Sequence, residues 1–136
     1  MKKYSLRSNL KEEKAPVKYI IDGGKKCFIT TEKIQFKLSD GVLYEVEEGF
    51  RFDGATVPRV FWWYLPRLDD RVLGVIIHDH MYMKDYLRDC FSDKKARLLI
   101  DKEWLMWCKV ATPKEGIKNK VMYQMVRLFG AKIFKR

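Results

Sequence analysis

The sequence predicts an α+β domain in which a small antiparallel β-sheet, at about residues 27–53, precedes three α-helices at about 69–84, 92–110 and 113–130. Three observations carry this expectation. Apolar and polar residues alternate singly through the first half; from Asp69 onward the period lengthens to that of a helix; and the strands come before the helices rather than between them. Strands first and helices after is the order of an α+β domain, not of a parallel βαβ sheet. A chain of 136 residues, 47% of them hydrophobic, can bury one core without covalent staples, so a single domain is expected.

Residues 1–18 are charged and weakly patterned, and read as a loosely held basic arm. Ile34, Phe36 and Leu38 then alternate with Gln35 and Lys37; Ser39-Asp40-Gly41 supplies a turn; and Val42, Tyr44 and Val46 alternate on the return, which is a hairpin signal. Cys27 to Thr31 and Phe50 to Phe52 read as further strands. Residues 54–68 form an aromatic connector in which Phe61, Trp62, Trp63 and Tyr64 lie between Pro58 and Pro66, more suited to packing than to base stacking. Asp69 or Asp70 can cap the first helix. That helix carries Val72, Val75, Ile76 and Met83 on one stripe and Leu73, Ile77 and Met81 on the other, the pattern of a buried helix. Ser92-Asp93 opens the second helix, and Thr112-Pro113-Lys114-Glu115 reads as a capping box opening the third. On the third helix Ile117, Val121, Met125 and Leu128 line one side, a stripe whose commonest use is core packing.

The net charge of +10 sits at the ends. Residues 1–37 carry ten Lys/Arg against four Asp/Glu and residues 113–136 carry seven against one, whereas the middle is slightly acidic. Such ends suit nucleic acid, an anionic membrane or an acidic partner, and equally a solvated surface. No long apolar run forms a transmembrane segment, and the first residues are charged rather than signal-like, so residence in the cytoplasm is the expectation. Cys27, Cys90 and Cys108 are odd in number and lack metal spacing, which points to buried free thiols.

Chemistry concentrates on the first two helices. Asp79 falls within an apolar stripe, where a carboxylate must be paired, hydrogen-bonded, protonated or bound to a cation. His78 and Tyr82 are four residues apart and share a face; Arg97 and Asp101 repeat that spacing on the second helix. If the two helices pack together, Asp101 can face His78, fix its tautomer and leave the other ring nitrogen as a base; the same residues could also form a satisfied structural network. His80 points to another face and reads as incidental. Asp53-Gly54, at a strand end, is a turn with a carboxylate and exposed carbonyls, the ligand type of hard cations, or simply an Asx-type turn.

Phe52-Asp53-Gly54-Ala55-Thr56-Val57-Pro58-Arg59, His78-Asp79-x-x-Tyr82, Arg97-x-x-x-Asp101 and Tyr123-x-x-Val126-Arg127-x-x-Gly130 occur in one order. Over roughly residues 34–130 this resembles a family of uncharacterised proteins common in bacteriophages and prophages, marked by D-G-A-S/T-V-P and H-D-x-x-Y. The resemblance implies a phage context and no particular reaction; with the basic ends and the amphipathic third helix, the first reading is a non-enzymatic virion component or interaction module, with other phage structural proteins as partners. The order D-G, H-D-x-x-Y and a following Asp is also similar to secreted, calcium-dependent phospholipases. That similarity implies a hydrolase with His78 as base, Asp101 orienting its ring, Tyr82 supporting both, and Asp79 with the Asp53 turn holding Ca²⁺. The chain departs from that pattern in lacking the disulfides, the secretion signal and a glycine-rich calcium loop beyond Asp53-Gly54.

Overall fold

Alternation sets the register of the first half. In the computed structural model, which describes residues 1–7, 15–52, 72–84 and 86–134, strands β4 (Ile34–Lys37) and β5 (Leu43–Val46) pair antiparallel, with Ile34 opposite Val46 and Phe36 opposite Tyr44. Ile34, Phe36, Leu38 and Val46 are buried as the period of two requires. The turn forms as read. Asp40 Oδ1 accepts the Val42 amide at 3.1 Å and Gly41 takes a positive φ of 88°, a conformation that glycine adopts without steric cost.

The expected antiparallel sheet is two three-stranded sheets. One is mixed, because β1 (Lys2–Ser5) runs parallel to β4, whose other neighbour is β5. The expectation of a loose arm therefore fails over these residues: Tyr4 is buried and stacks on Phe36 at 6.1 Å, too short an apolar signal to stand out among charges. The other sheet joins β2 (Val17–Asp22), β3 (Lys25–Thr30) and β6 (Arg51–Phe52), all antiparallel. Thr30 ties its end. Its hydroxyl donates to the Glu47 carbonyl at 2.8 Å and accepts the Phe50 amide at 2.9 Å.

Chain contacts divide into two units, residues 1–53 and 54–136. In the second unit α1 (Val72–Met83), α2 (Asp93–Ala111) and α3 (Gly116–Phe134) pack together, α2 touching both others. Helix α1 is buried on every side from Val72 to Tyr82, as its all-round apolarity implies; only Met83, at its end, is exposed. Gly74 faces α2, where a methyl group would meet Trp104, Trp107 and Cys108 at 3.4–3.5 Å, leaving no space for a larger side chain. Ser92 caps α2 as expected, accepting the Lys95 amide at 3.3 Å.

Thr112 does not open α3. It terminates α2, donating its hydroxyl to the Cys108 carbonyl at 2.8 Å, and buried Asn119 donates to the Thr112 carbonyl at 3.3 Å. Residues 113–115 make the corner, so α3 starts at Gly116 and runs past the expected end at 130. Met122 and Val126 join Trp104 and Cys108 in the core. Of the apolar stripe expected to pack, Val121 and Met125 are half-buried and the two ends are turned outward, Ile117 77% and Leu128 70% exposed. All three cysteines are free, but only Cys108 is buried; Cys27 is half-buried and Cys90 exposed. No described helix is long and apolar enough to cross a membrane.

Candidate active site

Helical spacing brings the site together. His78 and Tyr82 stand one turn apart on α1 with ring centroids 4.1 Å apart, and α2 presents Asp101 to both. Asp101 Oδ1 lies 2.7 Å from His78 Nε2 and accepts the Tyr82 hydroxyl at 2.5 Å. Its second oxygen, Oδ2, accepts from Arg127 Nη1 of α3 at 2.7 Å and lies 3.6 Å from Arg97 Nη1. Arg97 in turn donates to the carbonyls of Val126 at 3.3 Å and Arg127 at 3.0 Å, fastening α2 to the backbone of α3. Asp101 thus binds all three helices. It is 0% exposed and His78 2%, with Trp104 5.6 Å from the imidazole.

A carboxylate this deep persists only with donors on both oxygens, and the four partners supply them. Burial alone pushes His78 toward the neutral form. The hydrogen bond to Asp101, the contact with Asp79 and the attraction of both carboxylates outweigh it, so the imidazole holds its proton above the ordinary histidine value. Burial, followed by the negative charge of Asp101, pushes the Tyr82 phenol up and keeps it a neutral donor.

Of the residues expected to form the site, His78, Tyr82, Asp101 and Arg97 meet in one cluster. Asp79 is buried beside them, its Oδ1 3.7 Å from His78 Nδ1, beyond direct hydrogen-bond reach and within that of one bridging water. Asp53 and Gly54, expected to hold a cation, lie outside the described residues, as do the aromatic connector and the Asp69-Asp70 cap. Among the described residues no group of three or more His, Cys, Asp or Glu is arranged to hold a metal ion; Asp79 offers one carboxylate. His80, expected to be incidental, is buried as well, since α1 has no solvent side to receive it. Arg127 is the functional candidate that helical spacing on the first two helices missed. Its signal was its place beside Val126 in the last of the four motifs.

Comparison with known families finds a match between residues 28–126 and the model of a family described as "Protein of unknown function (DUF1353)". No curated protein and no solved structure matches the chain.

Proposed function

The chain belongs to the DUF1353 family, and on that premise we propose that it is a His/Asp hydrolase of phage context, cleaving an ester or lipid-like substrate with water. One observation carries this reading: Asp101 engages one ring nitrogen of His78, while the other, Nδ1, faces the Asp79 carboxylate across a longer gap of 3.7 Å. With the carboxylate accepting at Nε2, the neutral ring carries its proton there and its lone pair at Nδ1. Nδ1 takes a proton from water as the water oxygen bonds to the ester carbonyl carbon. The tetrahedral intermediate expels the alcohol oxygen, which receives that proton from the imidazolium, and the acid is left. Asp101 steadies the imidazolium; Tyr82 and Arg127 hold Asp101 in place. Of the two carboxylates expected to meet Ca²⁺, Asp79 alone is among the described residues, and one carboxylate makes no complete set.

The test is acyl release from short-chain aryl esters and from phospholipid vesicles, with added Ca²⁺ and with chelator. His78→Asn that keeps its circular dichroism should lose about 100-fold or more, the scale of a general base. Absence of release under every condition, or full activity in the variant, defeats the proposal.

A second reading rests on burial. His78, Asp101 and Tyr82 are all nearly inaccessible, and Asp101 has guanidinium groups at its second oxygen, which suits a clasp holding three helices of a non-enzymatic protein. In that case the chain is an interaction module of the host cytoplasm, incorporated into the virion beside other phage proteins. Asp101→Asn would then lower stability without altering any turnover.

A further inference from the structure

Helix α3 has two apolar faces. Met122 and Val126 point inward to Trp104 and Cys108, while Ile117, Val121 and Leu128, at i, i+4 and i+11, sit on the opposite side with Gln124 between them. Val121 is half-buried between Ile117 and Leu128; leaving those two this exposed forgoes the burial that drives packing, which an interaction surface would recover. Its border is basic. Lys120 is exposed on one flank and Lys118 half-buried on the other, where it pairs with Glu115 at 3.8 Å. Gly116–Phe134 contains no acidic residue, and residues 113–136 carry seven Lys/Arg against one Glu.

We infer that the outward face of α3 docks on an anionic lipid bilayer, Ile117, Val121 and Leu128 entering the headgroup–acyl boundary and Lys118 and Lys120 meeting lipid phosphates. The chemistry favours this occupant over its rivals. A nucleic acid would match the lysines but offers nothing to branched aliphatic side chains at the apex of the helix. A second copy would match the aliphatic row but oppose lysine to lysine along its border. A bilayer with anionic headgroups satisfies both features at once, as amphipathic basic helices do when they lie in the interface plane. The inference deepens the hydrolase reading by naming where a lipid-like substrate is presented. Docking itself uses none of the residues of the His78 cluster.

Sedimentation of the full chain with phosphatidylcholine vesicles, and with vesicles that also contain phosphatidylglycerol, tests it. Binding is expected to the phosphatidylglycerol vesicles alone and to weaken as salt is raised. Ile117→Asp combined with Leu128→Asp, both at exposed positions, should weaken it at least about 10-fold, and Lys120→Glu roughly 10-fold. No binding, equal binding to both vesicle types, or unchanged binding by the aspartate variant overturns the inference. So does duplex DNA binding that survives those substitutions while vesicles are ignored, or a dimer that they dissociate in place of vesicle binding. His78→Asn separates the two ideas. It should bind vesicles like the parent while losing hydrolysis; a parent protein that docks but hydrolyses nothing removes the enzyme reading alone. Retained cleavage of soluble aryl esters without docking removes this one alone.

Discussion

Two ion pairs of similar length show how differently the two units use charge. Lys33 Nζ, just ahead of β4, and Glu45 Oε2 of β5 lie 3.0 Å apart, each side chain about half exposed, while Arg127 and Asp101 meet at 2.7 Å with the carboxylate sealed from solvent. Among its described residues the first unit buries no charged side chain and fills its core with residues such as Ile34, Phe36, Val46 and Phe52, with Thr30 as a buried polar side chain. The second buries His78, Asp79, His80 and Asp101 among its apolar residues. An exposed pair forms at little cost because water already solvates both partners. A buried one must offset desolvation through complete hydrogen bonding, so that loss of any partner leaves a stranded charge. The lesson is that near-equal separations do not make two contacts equal: accessibility is what sets these two apart.

The largest break is expected from Asp101→Ala. It strands His78, Tyr82 and Arg127 together and should destabilise the helical unit by about 3–5 kcal/mol, the scale for breaking a buried ion pair. Denaturant unfolding followed by tryptophan fluorescence reads this unit selectively, because all four tryptophans lie in residues 54–136. A midpoint unchanged from the parent would show that the cluster does not hold the helices.

A smaller effect is expected from pH. The folded state raises the proton affinity of His78, so its contribution to stability is complete below the unfolded value of about 6.5 and is lost as pH rises through the higher folded value. Unfolding free energies from about pH 5 to about pH 9 should therefore decline on the alkaline side for the parent and lose that component in His78→Asn. Parallel curves for the two proteins would contradict the assignment. The same titration shapes activity in the hydrolase reading, since only the neutral ring serves as base and turnover must rise with pH through the folded value.

The smallest effect belongs to the sheet. Glu45 is held below the usual carboxylate range by Lys33, through a hydrogen bond first and charge attraction second. Lys33→Gln should nevertheless leave the unfolding midpoint where it was, as solvent-exposed pairs contribute little. A measurable drop would mean that the edge pair works as the buried one does.

What the sequence revealed follows the range of each signal. The hairpin at 34–46 and the facing of His78, Tyr82 and Asp101 depend on periods of two and four residues, and both were legible. Strand β1 was hidden because four residues with one aromatic carry too little pattern, and its partner β4 lies some thirty residues away. Helix α3 misled for a different reason. It carries apolar residues at both Ile117-Val121-Leu128 and Met122-Val126, and only the corner set by Thr112 and Asn119 decides which row turns inward. Arg127 depends on that same rotation, so its contact with Asp101 could not be reached from α1 and α2 alone. The aspartyl–glycine segment, the other half of the expected site, lies outside the described residues.

Asp101 stands on the middle helix, yet its donors come from both neighbours. No two-helix intermediate satisfies it fully: α1 with α2 leaves Oδ2 only the longer contact to Arg97, and α2 with α3 leaves Oδ1 without His78 and Tyr82. Partial assembly is therefore penalised at either step, and the three helices are tied into one cooperative folding event. Truncation ahead of α3 should leave not a smaller folded bundle but a loosened one, in which hydrogen exchange quickens across α1 and α2 together.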